Sequence, residues 1–386
     1  MKKIVSKEYG LEVEKNLKME YDEKERLIID PGIMLDEIYD SLLSNGFGDG
    51  LPIIPPTRER VERMIEYTDR NSQDIIGYIP HRGLPATVEK LAITAVMSGC
   101  KPEYFPVFLT AIETICDKNF DLGNVALTSY PSCLALVVSG PIADEIGMNS
   151  GEGCLGPGNR ANATIGRAVN LALINIGGIR IGVNYHAVHS TPAKYSYCFA
   201  EDIKSNPWTP LNAETSGKDN TVTLAFAGEG PYNVGLHAEY RRGSSQDVLY
   251  HLAKAAVVFG SNPIYFPSDL LIIISPVIAE LLTRDGWSKS GIKQFIYENA
   301  RMEGHSSKFL RRFGPGYNAW GRVKWAFKEK SFPVVTNPDD IILVIAGARD
   351  PHGMLSLPWG VYSRATRKAV TLKNGEPAKS IKEFRK

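Results

Sequence analysis

The chain has 386 residues, a length that suits two domains or two intertwined lobes better than one ordinary core. Hydrophobic residues make up 43% and charged residues 23%, which is the balance of a globular protein and excludes a disordered one. Lys and Arg number 44 against 43 Asp and Glu, so there is no overall basic field for nucleic acid or an anionic membrane, and any anion must be bound by a local arrangement.

The N-terminal segment, the most apolar run and the cysteines indicate the cellular compartment of the protein. Residues 1–29 carry charges throughout and lack the apolar core of a secretory signal. The most apolar run, residues 270–282, is too short to span a bilayer, which needs about 20 apolar residues. The five cysteines are widely spaced without a CxxC motif, as is typical of a reducing compartment. These features predict a cytoplasmic protein with neither a membrane nor a nucleic-acid partner.

Hydrophobic periodicity and Gly/Pro punctuation predict an α/β fold with mostly buried sheets. In chain order, helices are predicted from Pro31 to Leu43 and over residues 57–65, 85–98, 102–116, 162–175, 246–259 and 288–301. Short apolar strands, of the kind buried on both faces, are predicted over residues 132–139, 221–227, 270–275 and 341–346. The predicted organisation is an N-terminal arm (1–34), an α/β lobe (35–200), a polar linker (201–220) and a second α/β lobe (221–386).

An internal similarity links the two predicted lobes. Residues 99–106 and 260–267 share the pattern G-x-x-P-x-Y-F-P, each after an Ala/Val-rich helix. In each half an apolar strand then carries a serine and runs into Pro141 or Pro276. We therefore predict two similar lobes from an internal duplication, with a site at the cleft between them. The alternative is that two helix–proline junctions resemble each other by chance.

The candidate site is the glycine-rich segment 151–167, which leads into a predicted helix. Its four glycines within eight residues allow a close backbone approach to a ligand. The helix start adds free N–H groups and the positive end of the helix dipole. We predict that it binds a carboxylate, a phosphate or a developing oxyanion. The proposed binding residues are Gly153, Gly156, Gly158, Asn159, Arg160, Asn162, Thr164 and Arg167.

Three other interpretations of this segment are weighed against anion binding. In the first, Asn159 or Asn162 merely caps the helix and the arginines lie in solvent. In the second, Gly151-x-Gly-x-x-Gly156 is a dinucleotide fingerprint, but the preceding strand is too distant, Pro157 interrupts, and residues 170–177 lack the required acid. The third, a P-loop, is excluded because no G-K-[ST] follows.

Several residues are candidates for the chemistry or for substrate contacts. Cys154 lies in the loop near the helix start, where it is either a nucleophile or a small residue filling a turn. Asp49, between two glycines, and Glu229 are either functional carboxylates or turn residues. His352 follows a buried strand, where α/β proteins place functional groups. The pair His186 and His189 is either a metal site or part of a polar loop, and we predict no metal there.

The segments 153–168 (G-C-L-G-P-G-N-R-A-N-A-T-I-G-R-A), 48–52 (G-D-G-L-P) and 99–106 (G-C-K-P-E-Y-F-P) carry a family resemblance. The chain resembles uncharacterised bacterial proteins encoded beside small thiol or selenol proteins with a U/C-G-S-C motif. The resemblance covers roughly residues 35–380 and is most specific at 153–168. It implies partnership with thiol redox chemistry and no particular substrate. The chain itself has no C-G-S-C, so a redox role requires a separate thiol or selenol partner.

These observations lead to a functional expectation with two competitors. We expect an enzyme acting on a small anionic substrate by lyase or thiol-linked reductase chemistry, with Cys154 or Asp49 as nucleophile or acid/base. The first competitor is a noncatalytic binding or scaffold subunit of a thiol redox complex, and the second is a metal-dependent hydrolase using His186 and His189. The sequence specifies no cofactor, and the near-zero net charge indicates a homo-oligomer.

Overall fold

The computed structural model describes residues 19–21, 27–29, 35–258, 268–303, 331–358 and 363–385. The predicted helix start at Pro31 and the second copy of the repeat, residues 260–267, lie outside these ranges. Within them the chain is an α/β protein, as predicted, with helices packed on a curled and buried sheet.

The first part of the chain is mostly helical. Two hairpins belong to it, β1 (Met19–Tyr21) with β2 (Leu27–Ile29), and β3 (Ile75–Ile79) with β4 (Leu84–Thr87). Its helices are α1 (Leu35–Ser44), α2 (Arg58–Ile65), α3 (Val88–Ser98), α4 (Phe105–Ile115) and α5 (Leu122–Leu127). The helix predicted from residue 85 begins at Val88 instead, because residues 84–87 pair with β3 and the Thr87 hydroxyl caps the helix.

Within the described residues the main sheet has seven strands, and it contains both parallel and antiparallel pairs. Its strands are β5 (Cys133–Ser139), β6 (Cys198–Ala200), β7 (Val222–Gly235), β8 (Leu270–Ile274), β11 (Ile341–Ile345), β12 (His352–Pro358) and β13 (Thr366–Ala369). The spatial order is β11-β8-β12-β7-β5-β6, with β13 also paired to β7. A separate hairpin joins β9 (Arg301–Glu303) and β10 (Ser331–Pro333).

Helices cover the outer face of this sheet. They include α6 (Pro141–Glu145), α7 (Arg160–Asn175), α8 (Leu211–Thr215), α9 (His237–Arg242), α10 (Ser245–Ala255), α11 (Pro276–Arg284) and α12 (Lys289–Asn299). Helices α3, α4 and α7 pack around β5, whereas α10, α11 and α12 pack around β8 and β11.

The sheet curls so that its inner face packs on itself. On β5, Leu134, Leu136 and Val138 contribute to the core under the helices, and the alternate residues contribute to a core with Ile273 and Val344. The outermost strands, β6 and β11, also lie close to each other. The backbone N–H of Asp202, just after β6, donates to the carbonyl of Ile345 at the end of β11 at 2.8 Å. Burial on both faces explains why β5, β8 and β11 are continuous apolar runs.

The two halves of the sheet follow the same topology. In each half the first strand is central, the second pairs with it in parallel on the outside, and the third pairs antiparallel on the inside. These strands are β5, β6 and β7 in one half and β8, β11 and β12 in the other. A proline begins the helix after the central strand in both halves, at Pro141 and Pro276. The strand order agrees with the predicted duplication, which stays a prediction.

Residues 201–220, predicted as a linker, run from β6 to β7 within one half of the sheet and are tied closely to it. They contain α8, and the side chains of Glu201 and Asn212 are buried. The division into lobes at this segment stays a prediction, because strands from both sides of it share one sheet. Within the ranges that the structure describes, no helix combines the length and the apolar character needed to cross a bilayer.

Candidate anion-binding site

The glycine-rich loop is held in place by one buried side chain, Asn162 on α7. Its amide oxygen accepts from the backbone N–H of Asn149 at 3.0 Å. Its amide nitrogen donates to the carbonyls of Asn149 and Cys154, at 2.8 and 3.0 Å. Asn162 therefore fastens both ends of the 149–154 turn to the helix. The side chain is buried and both of its amide hydrogens are bound to this turn, so Asn162 supports the loop rather than facing a ligand.

Asn159 and Thr164 make local bonds at the start of the same helix. Asn159 is the N-cap, because its side-chain oxygen accepts from the Asn162 N–H at 2.9 Å. The Asn159 amide nitrogen also donates to the carbonyl of Gly147 at 2.8 Å. The Thr164 hydroxyl donates to the carbonyl of Arg160 at 2.8 Å, one turn earlier. Asn159 is thus the helix cap that one of the alternative interpretations expected. Helix α7 was predicted from residue 162 and begins two residues earlier, at Arg160.

Arg167 and Asp49, predicted as separate site residues, bind each other. The Arg167 Nε lies 2.7 Å from Asp49 Oδ2, and an Nη lies 2.8 Å from Oδ1 and 3.0 Å from the Leu51 carbonyl. The two side chains are 13% and 8% exposed, so the pair is largely buried. The backbone N–H of Gly48 also donates to Asn175 at the other end of α7. Together these contacts fix the proline-stiffened loop against α7.

The glycines of the loop lie at the surface. Gly153 and Gly158 have φ values of +65° and +113°, in the left-handed region that favours glycine, and an added Cβ at either would meet open space. Gly156 is exposed as well and donates its N–H to the carbonyl of Gly153. The glycines thus provide the turn geometry, and a ligand role for them stays a prediction.

Cys154 is buried beneath the loop and packs with the inner core of the sheet. Burial raises the pKa of its thiol to about 11, although nearby backbone N–H groups act in the opposite direction. The position near a helix start was expected to favour the thiolate. Desolvation outweighs that effect here, so the thiol is protonated at neutral pH.

Arg160 lies at the N-terminus of α7 and extends away from the glycines toward the 99–103 segment. Its Nε donates to the carbonyl of Gly99 at 3.0 Å. There it lines a cavity of about 350 Å³, which we call the cationic cavity. The cavity is lined by Ile54, Arg60, Arg63, Met64, Val96, Gly99, Cys100, Lys101, Pro102, Glu103 and Arg160.

The lining of the cationic cavity has an excess of positive charge. Four basic side chains face one acidic side chain, Glu103, which lies 3.7 Å from Lys101. Arg60 donates to the carbonyl of Pro55, and Arg160 donates to that of Gly99. Within the ranges described, none of the three arginines has a carboxylate partner. A cavity with unneutralised guanidinium groups attracts small anions.

A thiol absent from the predicted site, Cys100, also lines this cavity. Its Sγ lies 3.3 Å from the Ser98 hydroxyl. Burial raises the pKa of the Cys100 thiol, while the nearby hydroxyls of Ser98 and Thr164 and the charges of Arg160 and Arg167 oppose this rise in part. Cys100 differs from Cys154 in that positive charges are among the effects on its pKa, although burial raises the pKa of both thiols.

The other predicted residues lie elsewhere. Glu229 is buried in β7. The pKa of the Tyr232 hydroxyl is raised first by the burial of that hydroxyl and second by the negative charge of Glu229. His352 begins β12 and lies beside His237, with ring centroids 4.6 Å apart. The pair 186 and 189 lies in an exposed loop and belongs to no metal-binding cluster among the residues that the structure describes.

Among the residues that line the cationic cavity, the sequence predicted only Arg160 as a site residue and missed the other basic side chains and the thiol, namely Arg60, Arg63, Lys101 and Cys100. Two signals were present. The first was the repeated G-x-x-P-x-Y-F-P pattern, which includes residues 99–101. The second was the spacing of Arg60 and Arg63, which places them one turn apart on α2. Neither signal indicates that Arg160, at the start of the distant helix α7, lies against these residues.

Comparison with known proteins adds no further assignment. A scan against models of protein families finds no match for this chain, and a search of curated proteins finds none either. Any functional conclusion therefore depends on the geometry described above.

Proposed function

We propose that this chain is an enzyme that binds a small anionic substrate, a carboxylate or a phosphate, in the cationic cavity. One observation carries the proposal. Arg60, Arg63 and Arg160 come from two distant helices and line one cavity without a carboxylate partner among the described residues. Unpaired arginines that share a cavity repel each other, and an anion between them removes that repulsion.

The rest of the lining fits an organic anion. The start of α7 at Arg160 brings the positive end of a 16-residue helix to the cavity. Ile54, Met64 and Val96 supply an apolar wall, against which the carbon atoms of a substrate can pack. A volume of about 350 Å³ suits a small metabolite rather than a macromolecule.

The proposed chemistry uses the thiol of Cys100, within lyase or thiol-linked reductase chemistry. Among the cysteines, Cys100 is the one that lines the cationic cavity, whereas Cys154 lies in the inner core. Burial raises the pKa of this thiol, and the charges of Arg160 and Arg167 oppose that rise only in part, so nucleophilic use of the sulfur requires that its proton be removed when the substrate binds. We assign Asp49 a positioning role through Arg167, because its two oxygen atoms are both bound to that side chain.

The proposal extends to the cellular context. All five cysteines are free thiols, which supports a reducing compartment and, with it, the proposed cytoplasmic location. A thiol or selenol redox protein is the proposed partner, and a homo-oligomer is the proposed assembly.

Turnover of candidate substrates tests the proposal. The full chain would be incubated with a mixture of small carboxylates and phosphate esters plus a dithiol reductant, and substrate loss would be followed by mass spectrometry. We expect Cys100→Ser to abolish consumption while anion binding persists, and Arg160→Met to reduce both. Cys116→Ser, a half-buried cysteine outside the cavity, is the matched control. Anion binding without any consumption would overturn the enzyme assignment and favour the noncatalytic binding or scaffold subunit.

A further inference from the structure

A second group of polar side chains lies at the other half of the sheet. His237 is the first residue of α9, His352 is the first residue of β12, and Asp350 lies two residues before it. Each offers one ligand atom, and these atoms all lie within 4.8 Å of one another. Asp350 Oδ1 is 3.7 Å from the Nδ1 of His237 and 3.8 Å from the Nδ1 of His352.

The backbone holds these three residues in place. β12 pairs with β7 on one side and with β8 on the other, and His352 lies opposite Gly235. The backbone N–H of Ser275 donates to the carbonyl of His352 at 3.2 Å. The backbone N–H of Leu236, next to His237, donates to the carbonyl of Pro351 at 3.0 Å. The N–H of His352 donates to the Asp350 carbonyl at 2.8 Å. These bonds join the two histidine segments independently of any side-chain contact.

The donor set is that of a transition-metal site. Two imidazoles and one carboxylate bind Zn²⁺ or Fe²⁺ in many enzymes. With metal–ligand bonds of about 2.1 Å, neighbouring donor atoms lie roughly 3.0 to 3.5 Å apart. The two carboxylate–imidazole separations, 3.7 and 3.8 Å, exceed this range by a few tenths of an ångström, and the two imidazoles offer ligand atoms within 4.8 Å of each other, so side-chain rotation is needed to bring the three donors around one ion. The two carboxylate–imidazole separations are also too long for a direct hydrogen bond between imidazole and carboxylate.

The exposure of the cluster indicates an open site. The side chains of His237, Asp350 and His352 are 45%, 57% and 39% exposed. Three protein ligands with solvent access leave coordination positions for water or for a substrate, unlike the closed four-ligand sites that stabilise folds. The nearest cation in sequence, Arg349, lies 2.7 Å from Glu280, which partly neutralises its charge near the cluster.

We propose that His237, Asp350 and His352 bind one divalent transition-metal ion with open coordination positions. The site shares no residue with the cationic cavity, so it stands whether or not an anion binds there. It also assigns His352 as a ligand of a metal, where sequence reasoning expected a substrate contact.

Metal titration of the purified full chain tests this site. After treatment with a chelator and its removal, Zn²⁺, Mn²⁺ and, under anaerobic conditions, Fe²⁺ would be titrated by calorimetry, and metal content measured by elemental analysis. We expect one ion per chain and a loss of affinity of about tenfold or more in His237→Ala, His352→Ala and Asp350→Asn. Co²⁺ should give visible d–d absorption bands in the wild type that these variants lose.

His251→Ala is the matched control, because His251 forms an exposed imidazole–carboxylate pair with Glu239 at 2.6 Å outside the cluster. Its metal affinity should equal that of the wild type. The half-exposed cluster residues are expected to leave the fold intact, which circular dichroism would verify in each variant. Absence of binding to the wild type, or binding that survives His352→Ala in a folded protein, would overturn the proposal.

Discussion

The guanidinium group of Arg167 binds both carboxylate oxygens of Asp49, at 2.7 and 2.8 Å, across 118 residues of sequence. This pair fastens the Gly-Asp-Gly-Leu-Pro loop to α7, the helix whose first residue lines the cationic cavity. The geometry of the cavity therefore depends on an interaction that does not itself touch a substrate.

Breaking this pair should destabilise the protein. Asp49→Ala leaves a largely buried guanidinium group without its partner, so we expect a loss of about 3 kcal/mol in the free energy of unfolding. Arg167→Leu in the same background should restore part of that loss, with a coupling energy of about 2 kcal/mol. Urea unfolding of the two single variants and the double variant provides the measurement. Additive losses would show that the pair is not a unit.

Asn162 should be the most sensitive polar residue of the glycine-rich loop. Its replacement by Ala leaves the N–H of Asn149 and the carbonyl of Cys154 without partners, while the carbonyl of Asn149 keeps only its bond from the N–H of Ala200, at a cost of about 2 kcal/mol. Asn170→Ala is the control on the same helix, because that side chain bonds only to the carbonyl one turn before it. Thermal unfolding of both variants should separate them clearly. Equal melting temperatures would contradict the locking role of Asn162.

The Cys154 thiol should react slowly at neutral pH. With a pKa of about 11, only about one thiol in 10⁴ is ionised at pH 7. Because the thiolate is the reactive form, alkylation by iodoacetamide should accelerate about tenfold per pH unit between about pH 7 and 9. Peptide mass spectrometry of labelled protein follows this residue individually. Rapid labelling at pH 7 would show that the helix start does activate Cys154.

Glu201 should make stability depend on pH. Burial raises the pKa of its carboxyl group, although donors from Ser139, Leu211 and Asn206 oppose the rise. A carboxyl group with a raised folded-state pKa stabilises the fold fully below its unfolded pKa of about 4.3, and this contribution is lost as pH rises through the folded value.

Glu201→Gln removes this titration. Relative to the wild type, the variant should therefore gain stability as the pH is raised from about 4 toward neutrality. Urea unfolding at several pH values measures the difference between the two proteins. A difference that stays constant, or that moves in the opposite direction, would contradict the direction of the pKa shift.

Local sequence signals predicted much of the fold. The apolar runs of β5, β8 and β11 identify strands buried on both faces, and the Asn159 cap lies at the start of its helix. β12 was missed because its sequence includes Gly353 and ends in Pro358, which are poor strand signals. Pairing with strands on both sides overrides that local preference.

The site was harder to predict because its contacts are distant in sequence. The segment 151–167 identified Arg160, but α2 and the 99–103 segment supply the rest of the cavity. The partner of Arg167 could not be read from helical spacing, since Asp49 lies 118 residues away. Likewise, His237 and His352 meet only because β7 and β12 pair.

The most direct test of the central claim is a calorimetric titration of inorganic phosphate and of malonate into the full chain at low ionic strength. We expect one anion per chain, and Arg160→Met and Arg63→Met should each weaken binding about tenfold or more. Arg58→Met removes a positive charge from the same helix α2 outside the cavity, where Arg58 pairs with Glu62, and should leave the affinity unchanged. If neither anion binds, or if all three variants bind as the wild type does, the cationic cavity is not a substrate site.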